Sequence, residues 1–161
     1  MIKALRVDER LIHGQVAMAW TRDLGIQGIM VADDEAAGNE MQKMTLKMAV
    51  PDGIKCMIKT VPEIIALLNN PKSAGMRILV LVRTVKNALA VYKAVPGIEY
   101  VNIGNAGRFT SGDGTERTII SRSVSLTPDE LECLKELVKL APGAALQMVP
   151  SDDKKLVSEV I

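Results

Sequence analysis

The sequence predicts a doubly wound α/β domain, a mostly parallel sheet of about seven strands with helices on both faces. Three observations lead there. Short β-branched runs alternate with amphipathic stretches along the whole chain, and turn residues punctuate almost every change. Of the 161 residues, 48% are apolar, enough for one sizeable core. The strand–helix alternation implies right-handed crossovers and strands covered from both sides. Residues 1–161 are therefore read as a single domain, with no repeat, low-complexity tract or linker.

In chain order, the first strand is expected over 2–8 and an amphipathic stretch over 15–24, with Gly25 placed to close that helix in the left-handed conformation. A strand over 28–32 leads into a helix over 38–49. Met41, Met44 and Met48 recur there at helical spacing and are expected to face the core. After the turn Pro51–Asp52–Gly53 come a strand over 54–60 and a helix over 62–70. Thr60 with Glu63 has capping-box spacing there, and Pro62 sits inside the first turn. A strand over 77–82 and a helix over 85–94 follow, then the turn Pro96–Gly97 and a strand over 100–103. The last third gives a weaker strand over 117–124, a helix over 128–140 opened by Thr127, Pro128 and Glu130, a strand over 145–149 and a final helix over 152–160.

Charge and composition exclude several roles. Twenty basic against nineteen acidic residues leave a net charge of +1, without the basic excess that nucleic-acid binding needs. Trp20, Tyr92, Tyr100 and Phe109 are the only aromatics, too few for base stacking or for a sugar site built on ring faces. Cys56 and Cys133 lie far apart, with no metal or redox spacing, and read as buried thiols of a reducing compartment. The charged N-terminus is no signal peptide, and the longest apolar runs, such as Ile78 to Val82, are far short of the roughly 18 residues of a spanning helix. A cytoplasmic protein with no metal and no cofactor is expected.

In doubly wound sheets, functional groups gather beyond the carboxyl ends of the strands. Those ends are Asp8 to Gly14, Asp33–Asp34, Arg83–Thr84 and Asn102 to Arg108. The first contains His13, the chain's one histidine, followed by Gly14 and bracketed by Arg6 and Arg10. An arginine fork holds phosphoryl oxygens bidentately, and nearby positive charge keeps an imidazole neutral and nucleophilic. The helix opening at Gly14 and Gln15 adds free N–H groups and the positive end of its dipole. Phosphoryl transfer is mostly positioning and charge stabilisation, so this set suffices. His13 is the candidate nucleophile; Arg10, Arg6, Gly14 and Gln15 are the candidate phosphate binders. Asp8 could orient the imidazole or hold an arginine, while Glu9 reads as a solvated loop residue. Arg83 and Thr84 follow the strand expected beside the first and could line the crevice opposite His13, with Thr84 as a helix cap the competing account. Asp33 and Asp34 read as a strand-end turn and helix cap rather than a magnesium pair. Arg108 is read as surface loop, with a phosphate or docking contact as its other role.

The run RVDERLIHGQVAMAW and the later VNIGNAG resemble the IIB domain of the mannose/fructose/sorbose family of the bacterial sugar phosphotransferase system, along essentially the whole chain. The resemblance implies that a IIA domain phosphorylates His13, expected at Nδ1, and that Arg10 is the principal stabilising side chain. It further implies transfer to a sugar entering through a membrane IIC–IID complex, with this chain peripheral to the membrane and the sugar recognised chiefly by the membrane partner. An amino sugar of the N-acetylgalactosamine type is favoured on resemblance alone, and a homo-oligomer stays open. Two other readings compete with this one. A histidine phosphatase would need arginine directly before the histidine and a second histidine; Ile12 stands there and no second histidine exists. A non-catalytic phosphate- or nucleotide-binding module remains, although the usual glycine-rich phosphate loops are missing.

Overall fold

The structure is a computed structural model that describes residues 1–107 and 114–161; Arg108 and Phe109 lie outside them. Its main sheet has seven strands in the order β3-β2-β4-β1-β5-β8-β9. These are β1 (Ile2–Asp8), β2 (Gly28–Ala32), β3 (Lys55–Lys59), β4 (Ile78–Val82), β5 (Val101–Asn105), β8 (Ala145–Leu146) and β9 (Lys155–Leu156). All pairs are parallel except β8–β9. The expected doubly wound α/β fold is the one observed, and β4 does lie beside β1. β1 is flanked by β4 on one side and β5 on the other, so the crossovers that leave it and return past it open a crevice at its carboxyl end.

Among the described residues, six α-helices cover the two faces: α1 (Gly14–Leu24), α2 (Asp34–Ala37), α3 (Glu40–Met48), α4 (Val61–Leu68), α5 (Val85–Ala94) and α6 (Pro128–Leu140). Strand periodicity divides the core between the faces. Leu5 and Val7 of β1 and Val80 and Val82 of β4 pack with α4, α5 and α6, in a cluster holding Ile64, Leu89 and Leu134. Ala4, Leu79 and Leu81 face the other way and pack with Leu11, Ile12, Ala17, Trp20 and Leu46, under α1 and α3. The cap expectations hold at named atoms. Gly25 closes α1 at φ 62°, and Thr60 and Glu63 complete both bonds of a capping box. The Thr60 hydroxyl and backbone donate to the Glu63 carboxylate and hold its pKa below the ordinary carboxylate range.

The helix expected over 38–49 is observed as α3, opened by Asn39, which accepts the Gln42 N–H; the short α2 ahead of it is an additional element. Four expectations are corrected. On α3 the methionines face outward: Met41, Met44 and Met48 are 79%, 65% and 82% exposed. Helical spacing marks a stripe without saying which way it points, and here Leu46 alone is fully buried. The weak strand over 117–124 is a separate hairpin, β6 (Thr118–Ser121) with β7 (Val124–Leu126), whose Val124 and Leu126 are buried. The final helix is replaced by β9 and a 3-10 turn, Val157–Glu159, since residues 155 and 156 find backbone partners on β8. The strand drawn over 145–149 ends at Leu146, which frees Gln147 and Met148 to enter the site.

Candidate functional site

Asp8 is the hub of the carboxyl-end crevice. It ends β1, is fully buried, and accepts four hydrogen bonds from two arginines. Arg6 donates one amino group to Oδ2 at 3.0 Å. Arg10 donates its backbone N–H and Nε to Oδ1 at 3.0 and 3.1 Å and one amino group to Oδ2 at 3.1 Å. The Arg10 side chain keeps about a quarter of its surface exposed, 24%, so it is oriented yet reachable. A carboxylate grasping a guanidinium in this fork fixes the plane in which its remaining N–H groups point.

Arg6 occupies a different place from the one its sequence position suggests. It is 2% exposed, on the α1 side of the sheet, and its donors are spent inside the protein. One amino group binds Asn102 Oδ1 and the Gln147 carbonyl, the latter at 3.1 Å; the other binds Asp8 and approaches Met148 Sδ at 3.8 Å. The guanidinium lies 5.4 Å from the Trp20 ring centroid, a cation–π contact. Burial pushes the Arg6 pKa below its ordinary value, with the Asp8 carboxylate pulling the other way. Arg6 thus underpins Asp8 and, through it, Arg10.

The loop between β1 and α1 is built to lift His13 clear of the core. The Leu11 N–H closes a turn onto the Asp8 carbonyl at 2.9 Å, and Leu11 itself takes φ 58°, an uncommon conformation for a side chain of its size. Its side chain and that of Ile12 are 3% and 4% exposed and anchor the loop beneath, leaving His13, Gly14 and Gln15 exposed. His13 occupies the N-cap position of α1 and makes no side-chain cap bond. The other five helices are capped by Asp33, Asn39, Thr60, Thr84 and Thr127. No acidic residue lies in the first turn of α1, so its first N–H groups face outward without a carboxylate or hydroxyl to satisfy them.

The outer candidates separate from this group. Arg83 donates Nε and an amino group to the two Asp33 oxygens at 3.3 and 3.0 Å, tying the end of β4 to the end of β2. Thr84 caps α5 by accepting from the Asn87 N–H at 3.1 Å. Neither makes a hydrogen bond to Asp8, Arg10 or His13. Asp33 caps α2 and Asp34 accepts the Val61 N–H, so both carboxylates serve the backbone. No group of three or more His, Cys, Asp or Glu residues among the described residues could hold a metal ion.

The sequence reading overlooked the residues that support the arginines. Trp20 donates its indole N–H to the Met148 carbonyl at 3.0 Å, and Met148 Sδ stands 3.8 Å from an amino group of each arginine. Asn102 Nδ2 donates to the Gln147 carbonyl at 2.9 Å. Gly104 is needed for space, because a Cβ there would overlap the Arg6 guanidinium. That group is pinned by its bonds and cannot swing aside. Gly104→Ala should therefore lower stability by about 1–3 kcal/mol, measurable by denaturant unfolding. A loss near zero would show that Arg6 moves freely.

A doubly wound α/β domain with an exposed histidine at an open helix N-terminus, beside a carboxylate-held arginine, has the equipment of a phosphoryl-handling protein. The family model for the sorbose subfamily IIB component of the phosphotransferase system (PTS) matches residues 2–161, and the chain belongs to that family. It is 44% identical over 162 residues to a probable phosphotransferase enzyme IIB component of Streptococcus pyogenes, covering 100% of this chain and 99% of that protein. It is 30% identical over 161 residues to the mannose-specific EIIAB component of Escherichia coli K12, covering all of this chain but 48% of that one. The crystal structure of the IIB domain of the Klebsiella pneumoniae sorbose permease superposes with a TM-score of 0.87 at 27% identity, over 99% of this chain and 94% of that chain. The protein is accordingly a IIB component that takes part in phosphotransfer during sugar uptake. No helix among the described residues is long and apolar enough to cross a membrane.

Proposed function

We propose that His13 accepts a phosphoryl group from a IIA domain and passes it to a sugar taken up through a IIC–IID membrane complex. The observation that carries this reading is the place of His13: an exposed imidazole at the uncapped N-terminus of α1, three residues after an arginine clamped by Asp8. A phosphoryl group on the imidazole would meet the first-turn N–H groups of Gly14 and Gln15, the helix dipole and the free edge of Arg10, all suited to its charge. Arg6 serves this site from behind, by fixing Asp8. Arg83 and Thr84 shape the rim without touching phosphate.

The joined A and B components of the E. coli relative support a IIA donor. The phosphoryl acceptor is then a sugar of the mannose, fructose and sorbose class, an amino sugar included. The chain works at the membrane surface through IIC–IID.

The test is the intact mass after incubation with phosphoenolpyruvate, the general phosphotransferase proteins and a cognate IIA. Wild type should gain one phosphoryl group and His13→Ala none. Equal labelling of the two would remove His13 from the reaction.

A further inference from the structure

Asn105 closes β5 at the carboxyl end of the sheet, opposite Asp8 in the register of the two strands. Its carbonyl accepts the Glu9 N–H at 3.1 Å, so its backbone is part of the loop that leads to His13. The residue is 6% exposed, and its side-chain Oδ1 is buried with no hydrogen-bond partner among the described residues. Buried side-chain oxygens are almost always paired, because an unpaired one keeps the full desolvation penalty. At the neighbouring strand ends Asn102 accepts from Arg6 and donates to the Gln147 carbonyl, and Asp8 is bonded through both oxygens. Among the buried side-chain oxygens of the described residues, Asn105 Oδ1 is the one without a partner.

An amide oxygen can be satisfied only by a donor. Phosphoryl oxygens near neutral pH are chiefly acceptors. Both amino groups of Arg6 are spent, as are Nε and one amino group of Arg10, on Asp8 and its neighbours. Of the reactants, the sugar is the one that arrives rich in O–H donors. We propose that Asn105 Oδ1 accepts a hydrogen bond from a hydroxyl of the incoming sugar, making Asn105 a substrate-positioning residue of the second half-reaction, transfer from His13 to sugar. This rests on the reading of His13 as the carrier and extends it. In that step the sugar oxygen forms the new P–O bond and the P–N bond breaks, its electron pair returning to the imidazole. The hydroxyl proton passes to the ring, which ends neutral. Asn105 is too weak a base to take that proton; it holds the hydroxyl in line.

The two half-reactions can be timed separately in wild type, Asn105→Leu and Asn105→Gly. Labelling is followed with radioactive phosphoenolpyruvate, the general phosphotransferase proteins and IIA. Discharge is followed after adding membranes that carry the cognate IIC–IID with mannose, fructose, sorbose or N-acetylgalactosamine. Relative to labelling, discharge should slow about tenfold in both variants. Asn105→Leu should melt about 3 °C higher than wild type, because the unpaired oxygen is gone. If the leucine variant fails to fold, the glycine variant carries the kinetic comparison. Discharge at the wild-type rate would overturn the proposal, and so would an equal loss in both half-reactions, which would assign Asn105 to Arg10 or His13 instead. A wild-type protein that takes no label would refute the carrier reading itself, independently of Asn105.

Discussion

Asp8→Ala should lower the free energy of unfolding by about 3–5 kcal/mol, the loss expected when a buried ion pair loses one partner. The Arg6 charge would remain at 2% exposure with its counter-charge removed, and burial already disfavours that charge. Leu11 would keep its turn bond to the residue 8 carbonyl, so the loop should persist while its charged underside fails. At 161 residues, the loss corresponds to a fall in Tm of roughly 10 °C. The double variant Asp8→Ala/Arg6→Met should recover much of it, since no unpaired charge is then left inside. Chemical denaturation of the three variants tests this. A loss below about 1 kcal/mol for Asp8→Ala would mean that water reaches Arg6 and that the pair contributes as surface pairs do.

Arg10→Ala should separate function from stability. The side chain is partly exposed and fills no core position, so its removal should cost on the order of 1 kcal/mol. Phosphoryl transfer through His13 should nevertheless slow by about 10²–10³, the usual effect of deleting one preorganised donor at a site of developing negative charge. Arg10→Lys should restore little, because an ammonium cannot lie in the two-point grip of Asp8 while presenting a second edge. Transfer kinetics and an unfolding curve on the same preparations decide the matter. Unchanged transfer would exclude Arg10 from the mechanism, and an unfolded protein would make it a structural residue.

Much of the site was legible because local sequence encodes it. Asp8, Arg10 and His13 fall within one loop after a clear strand, and the carboxyl-end rule for doubly wound sheets points to that loop before any coordinates exist. The depth of Arg6 was harder to see. An arginine inside a strand can snorkel or bury, and its partners Asn102, Gln147 and Met148 lie far along the chain. Met148 was further hidden because the strand expected over 145–149 absorbs the loop that begins after Leu146. The outward Met41, Met44 and Met48 show the reverse error, a sound period assigned to the wrong face. Periodicity fixes spacing, whereas the direction of a stripe is set by what packs beneath it. The misread final segment has a similar cause: two residues of β9 are too short to carry a strand signal, and only pairing with β8 defines them.

The central claim is that one imidazole carries the phosphoryl group between two partners. The most direct test loads the protein, removes the donor proteins, locates the phosphoryl group by fragment mass spectrometry at neutral pH, and then adds IIC–IID membranes with sugar. The account predicts a single phosphoryl group on His13 that is lost from the protein as sugar phosphate forms. A group located elsewhere, or one that stays on His13 while sugar phosphate accumulates, would contradict it.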